Sequence, residues 1–308
     1  MINLDQYPPN YQEGDIWFPI YFYEGNPMRM MNECREYYQD PLKFHINNIK
    51  LLLKAGYRFI TWREFLANPD LQLQKIVVLQ YDLDGGVRSM QHIKEAIFKN
   101  NLNILANIVF WRRNTHYTIY EIEEVLEMGY LQELEKKGWC MGYHNNVYTN
   151  LNLMNKKCRP TASQKQSAHQ AFKDDIEFLR QYFTIEYYTN HGGNSPNRLI
   201  NPPPSLGVRT NQLNREAFSI PRLISDGRFQ SVRIEGGGRK KSMIWDEQRA
   251  SITYFTQKGL SFLWRCHPSK YGNFYKPYDF PPMEEAPEIE KTNYYKWLKH
   301  RGEWSQLK

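Results

Sequence analysis

Two aspartates one residue apart are the strongest chemical signal in the sequence. Asp82 and Asp84 follow an apolar run at residues 76–79 and precede Gly85 and Gly86. A short apolar run rich in β-branched residues predicts a buried strand. Since residues i and i+2 of a strand point to one face, both carboxylates should project at its carboxyl end, where α/β proteins place active sites. Neighbouring carboxylates repel, so the pair indicates a metal site or an acid–base pair, with a capping or turn aspartate as the alternative.

Three histidines hold equivalent places farther along the chain. His144, His191 and His267 each close an apolar stretch that we interpret as a strand. In a barrel of parallel strands the carboxyl ends converge on one mouth, so these histidines should meet the aspartates. Carboxylate and imidazole ligands suit Zn²⁺ or another divalent transition metal, beside which a second carboxylate can accept a proton and a histidine can donate one. The remaining histidines fall in helices or loops and are interpreted as ordinary core or surface residues: His45, His92, His116, His169 and His300.

Helical and strand patterns alternate for more than 200 residues around these positions. This alternation predicts a mostly parallel sheet with helices outside it. The number of units favours a closed or partly closed, distorted (β/α) barrel, with an open doubly wound sheet as the alternative. Helices are predicted at 43–55, 87–99, 131–137, 163–183 and 247–256, and strands at 76–82, 104–110, 139–144, 184–189, 221–225, 229–234 and 260–266.

The 308-residue chain divides into three parts on composition and periodicity. Residues 1–42 are polar, aromatic and proline-containing, and are predicted to form an arm packed on the domain. Residues 43–270 carry the alternating pattern. Residues 271–308 are proline-rich at first, and a helix is predicted from about residue 288.

The formal net charge of +7 indicates an anionic partner, such as a phosphate-linked glycan precursor. The basic residues are scattered, and the one dense run, Arg239-Lys240-Lys241, follows three glycines and is interpreted as an exposed loop. No zinc-finger, helix-turn-helix or RNA-binding pattern is present, so a nucleic-acid partner is not expected. No strand–helix turn carries a nucleotide-cofactor motif.

Four cysteines without CxxC spacing predict neither a disulfide framework nor a structural zinc site. No secretory signal and no apolar stretch of membrane-spanning length is visible. From these features we expect a cytoplasmic protein with free thiols.

The order of the polar motifs resembles that of the polysaccharide deacetylase superfamily, carbohydrate esterase family 4. More closely, it is similar to divergent members with an Asp-x-Asp first motif and a Gly-Tyr-His second motif. A segment at residues 224–228 also resembles one that these members carry between the third and last motifs. The resemblance covers roughly residues 43–270 and is carried by Tyr81-Asp82-Leu83-Asp84, Met141-Gly142-Tyr143-His144, Asn190-His191-Gly192 and Cys266-His267-Pro268.

The resemblance implies metal-dependent removal of an acetyl group from an N-acetylated sugar, with Zn²⁺ as the expected metal. By position, Asp82 would be the general base and Asp84 a metal ligand. His144 would be the second ligand, His191 could complete the metal shell, and His267 would be the general acid or its partner. The implied substrate is a precursor in surface-polysaccharide assembly.

The chain departs from the family pattern at two points. The second motif usually carries another histidine four residues after the first, and here Tyr148 holds that place. A phenol is a poor zinc ligand at neutral pH because it stays protonated. The third-motif arginine that steadies the base is also missing, and Arg112 or Arg113 could substitute. These departures leave two alternatives open: a metal shell of Asp84, His144 and His191, or an inactive barrel that binds a glycan or a partner.

Overall fold

The computed structural model describes residues 40–85, 87–112, 122–151, 160–191, 196–210, 222–225, 230–233, 239–242, 252, 255–268 and 271. Residues 1–39 of the predicted N-terminal arm and the predicted C-terminal helix lie outside these residues, and the last two residues of the predicted arm already belong to a helix that begins at Pro41. The predicted helix at 247–256 is described only in part. The division of the chain into three parts therefore stays a prediction.

The main element is an eight-stranded sheet in which every pairing is parallel. Seven strands follow the order β6-β5-β4-β3-β2-β10-β7, and β1 pairs with β2 off this path. A separate antiparallel pair is formed by β8 and β9. The strands are β1 (Arg58–Phe59), β2 (Ile76–Leu83), β3 (Asn107–Phe110), β4 (Cys140–Asn145), β5 (Tyr187–Asn190), β6 (Arg209–Thr210), β7 (Arg222–Ser225), β8 (Gln230–Arg233), β9 (Arg239–Ser242) and β10 (Phe262–Cys266).

The predicted α/β class with a mostly parallel sheet is confirmed, and the arrangement is compatible with a (β/α) barrel. Strands β6 and β7 stand at the two edges, and within the described part of the chain no pairing joins them. Closure of the barrel therefore stays a prediction. The prediction of an exposed loop at the basic run was wrong, because Arg239–Ser242 pairs as β9 with β8.

Seven helices with assigned bounds connect or flank these strands, and residues 252 and 255–258 are helical as well. Side chains cap the starts of the first two helices. The Asp40 side chain accepts a hydrogen bond from the Lys43 backbone N–H, and the Thr61 side chain accepts one from the Glu64 backbone N–H. After the first helix the chain turns at Gly56, whose φ of +82° suits glycine. The helices are α1 (Pro41–Lys54), α2 (Trp62–Ala67), α3 (Val87–Lys99), α4 (Ile122–Met128), α5 (Tyr130–Lys136), α6 (Val147–Asn150) and α7 (Ala162–Leu179).

Short 3-10 turns complete the described elements, at Pro69–Leu73, Pro196–Leu199 and Pro204–Leu206. None of the helices in the described ranges combines the length and the apolar character that crossing a bilayer requires.

The two faces of the sheet build separate hydrophobic clusters. On the helix face, Val77, Leu79, Tyr81 and Leu83 of β2 pack with side chains from α1, α3, α4, α5 and α7. On the opposite face, which we call the site face, Ile76 and Val78 pack with strand residues and with Trp62 and Phe65 of α2. The strand residues of this second cluster are Val109, Cys140, Tyr187 and Leu263.

Candidate metal centre

The side chains of the candidate site reach one place because each continues the site face of its strand. Every second residue of a strand points to the same side. From Val78 of β2 this alternation leads to Asp82 and Asp84, and from Cys140 of β4 it leads to His144. Tyr187 of β5 leads in the same way to His191, and Leu263 of β10 leads to His267.

Asp84, His144 and His191 form a group of three potential metal ligands. Their ligand atoms all lie within 4.8 Å of one another. Asp84 Oδ1 lies 3.1 Å from His144 Nε2, and Asp84 Oδ2 lies 3.6 Å from His191 Nε2. One carboxylate and two imidazoles are a common set of protein donors in catalytic zinc sites. Such sites leave a fourth position for water or substrate. The predicted shell is therefore brought together, and its donor chemistry fits a divalent transition metal.

Electrostatics keep this group ready to bind a cation. Burial alone would raise the pKa of Asp84, but His144 and His267 beside it hold that pKa well below its usual range. Burial, with His144 as a like-charged neighbour, lowers the pKa of His191 to about 4. At neutral pH, Asp84 is thus an anion and His191 is a neutral imidazole, the protonation states that metal coordination requires.

His267 lies between the two aspartates. Its Nε2 is 3.1 Å from Asp84 Oδ2 and 4.0 Å from Asp82 Oδ2. Burial acts to lower the pKa of His267, but the hydrogen bond to Asp84 and the charge of both carboxylates outweigh it and raise the pKa. Both carboxylates thus favour the protonated form of His267.

Asp82 is fully buried and is held on both oxygens. Gln80 Nε2 donates to Oδ1, and Arg265 Nη2 donates to Oδ2. Gln80 Oε1 in turn accepts from Trp62 Nε1 at 2.9 Å. Burial acts to raise the pKa of Asp82, but Arg265 and the nearby histidines outweigh it, so the pKa lies below its ordinary value. Asp82 is therefore an oriented anion at the edge of the metal group.

The arginine beside Asp82 is not the one that the sequence suggested. Arg112 lies instead near Asp175, at 3.4 Å, and over the ring of Phe178, at 4.1 Å. Arg113 lies outside the described residues. The arginine paired with Asp82 is Arg265, which lies two residues before His267 on the site face of β10. Strand alternation counted back from His267 was the signal that could have identified it.

Trp111 packs against two of the potential ligands. Its ring stacks on His144 with an interplanar angle of 17°, and it meets His191 edge to face at 87°. Trp111 is almost fully buried. These contacts limit rotation of both imidazoles, which preserves the direction of their lone pairs.

Two motif residues have structural roles. A Cβ on Gly142 would lie 2.4 Å from the buried Tyr187 ring, so this glycine provides the space in which β5 packs on β4. Tyr148 is fully buried in α6, and burial raises the pKa of its phenol. The phenol therefore stays neutral, as expected for a residue that is not a ligand.

Comparisons of the chain with known protein families, with curated proteins and with solved structures found no match. The chemistry of the site therefore rests on its own residues and their geometry.

Proposed function

We propose that this protein is a metal-dependent hydrolase that removes an acetyl group from an N-acetylated sugar. The observation that carries the proposal is the meeting of a three-ligand group, Asp84, His144 and His191, with a second carboxylate, Asp82, and a further histidine, His267. This combination suits amide hydrolysis, which is accelerated by carbonyl polarisation, a base for water and an acid for the leaving nitrogen.

A divalent metal held by these three residues would polarise the acetyl carbonyl and acidify an attacking water. Asp82 would accept the proton of that water, and Arg265 and Gln80 would keep the carboxylate ionised and oriented. His267 would donate its proton to the departing nitrogen, since its Nε2 lies beside both aspartates. Trp111 would shield one side of the site from solvent.

The substrate class follows from charge and from the motif resemblance. The net charge of +7 favours a substrate that carries phosphate, such as a nucleotide- or lipid-linked amino sugar used in surface-polysaccharide assembly. A cytoplasmic location would suit such a precursor better than a finished polymer.

The first experiment measures metal content and turnover together. Purified full-length protein should contain near-stoichiometric zinc or another transition metal, and Asp84→Ala and His144→Ala should lose it. Asp82→Asn should keep the metal and lose turnover of N-acetylated sugars, which separates the base from the ligands. His169→Ala is the matched control, because this histidine of α7 is hydrogen-bonded to the Lys165 carbonyl. It should change neither metal content nor turnover. Equal turnover by Asp82→Asn and wild type would refute the assignment of the base.

One observation favours a second function. The usual second-motif histidine is replaced by Tyr148, which is buried and neutral. A degenerate barrel that binds a glycan or a partner without catalysis would show no metal after incubation with zinc. Its ligand binding would also be indifferent to EDTA and to replacement of His144 and His191.

A further inference from the structure

A histidine can bind a metal through either ring nitrogen. The hydrogen bond made by one nitrogen sets the tautomer and so decides whether the other nitrogen keeps the lone pair that a metal needs. His191 Nε2 faces Asp84 at 3.6 Å. His191 Nδ1 lies 3.2 Å from the side-chain oxygen of Asn146. An amide oxygen can only accept a hydrogen bond, so Nδ1 must carry the hydrogen and Nε2 keeps its lone pair.

The amide of Asn146 is itself held in this orientation by Asn197. Asn197 Nδ2 donates to Asn146 Oδ1 at 3.4 Å and to the His191 carbonyl at 3.2 Å. Asn197 Oδ1 accepts from the Tyr148 backbone N–H at 2.9 Å. These hydrogen bonds join the segment after β4 to the segment after β5. Asn197 itself is fully buried.

The hydrogen bonds of the Asn146 side chain lie at its oxygen. Its Nδ2 atom is buried and has no hydrogen-bond partner among the described residues. A buried donor without a partner costs free energy. The side-chain oxygen of Asn146 offsets part of this cost, because it accepts from His191 Nδ1.

From these contacts we propose that Asn146 is a positioning residue that fixes His191 as the Nδ1–H tautomer and directs Nε2 to the metal, with Asn197 holding Asn146 in place. The inference rests on the metal site of the proposed function and deepens it. It also explains how the chain completes a three-ligand group although Tyr148 stands where a histidine ligand is usual. The third ligand comes from the end of β5, and the asparagines hold it there.

Zinc affinity of the full-length protein, measured by competition with a chromogenic chelator, tests the proposal. Asn146→Leu should weaken zinc binding about 10- to 100-fold, the usual loss when an outer partner of a ligating histidine is removed. Asn146→Asp should bind zinc within a few-fold of wild type, because a carboxylate oxygen accepts the same hydrogen bond from His191. The substitution removes Nδ2, which makes no hydrogen bond within the described part of the chain. Thr149→Val, a buried change in the same helical turn, is the control and should leave affinity unchanged.

A second measurement reads the tautomer directly in the wild-type protein. Two-bond ¹⁵N–¹H correlation spectra of the metal-free protein should show His191 as the Nδ1–H tautomer, assigned by its loss in His191→Gln. An Nε2–H tautomer in wild type, or wild-type zinc affinity in Asn146→Leu, would overturn the inference. A wild-type protein that binds no zinc would overturn the proposed function instead, while the tautomer would still decide the role of Asn146.

Discussion

The two faces of strand β2 are equally buried but chemically different. All eight residues of the strand have at most 1% of their surface exposed. The helix face is apolar along its whole length except for the Tyr81 hydroxyl, whereas the site face changes from Ile76 and Val78 to Gln80 and Asp82. Burial therefore does not distinguish a core position from a site position. The difference lies in the fixed hydrogen bonds and charges that compensate the polar groups.

Two buried histidines show the same contrast. His45 on the helix face is hydrogen-bonded to the Tyr81 hydroxyl at 2.8 Å and stacks on Tyr271, and burial lowers its pKa to about 3. His267 on the site face lies beside two carboxylates, and its pKa is raised despite burial. The helix face holds a neutral imidazole as part of the core, while the carboxylates of the site face favour the protonated form of His267.

The largest expected effect comes from removing the charge that compensates Asp82. Arg265→Met leaves a buried carboxylate without its cationic partner and should lower the free energy of unfolding by about 3–5 kcal/mol at pH 7. Because the folded-state pKa of Asp82 is depressed, its stabilising contribution is present at neutral pH and is lost as the pH falls. The deficit measured by urea unfolding should therefore shrink in acid.

The double variant Asp82→Asn/Arg265→Met is the control for this prediction. It should recover part of the lost stability, because no buried charge remains unpaired. Additive losses in the double variant would contradict the pairing of Asp82 with Arg265.

A helix-face substitution should separate stability from metal binding. Leu79→Ala creates a cavity in the helix-face cluster and should cost about 2–5 kcal/mol of unfolding free energy. Zinc affinity of the folded protein should stay at the wild-type value, because Leu79 points away from the ligands. Thermal unfolding and chelator competition on the same sample measure both. Zinc affinity that falls as far as in Asn146→Leu would show that the two faces are coupled.

The smallest expected effect is a pH dependence arising from the helix face. The folded-state pKa of His45 lies below the unfolded value of about 6.5, so the unfolded chain binds the extra proton between the two values. Stability should fall as the pH falls below about 6.5, by about 1.4 kcal/mol per pH unit from this residue. His45→Gln keeps a hydrogen-bonding side chain without this titration and should show a flatter profile. Identical slopes for the two proteins between pH 6.5 and 5 would rule out this origin.

Much of the architecture followed from local pattern. Residues 87–99 carry helical periodicity and form α3 over those residues, and the apolar run before Asp82 forms β2. The position of both aspartates on one face followed from the two-residue repeat of a strand, and both lie within 4.0 Å of His267. Periodicity sufficed here because each conclusion depends on residues close together in the chain.

The sequence by itself determined the alternating α/β order, the paired aspartates and the three strand-end histidines. Only the tertiary structure decided that Arg265 rather than Arg112 holds Asp82, that Trp62 and Gln80 support that carboxylate, and that Asn146 and Asn197 orient His191. The physical reason is that a hydrogen bond needs a distance and an orientation between groups that can be more than a hundred residues apart, as Asp82 and Arg265 are. Strand alternation can place Arg265 on the site face, but strand order and register set the distances between side chains, and no local pattern encodes those distances.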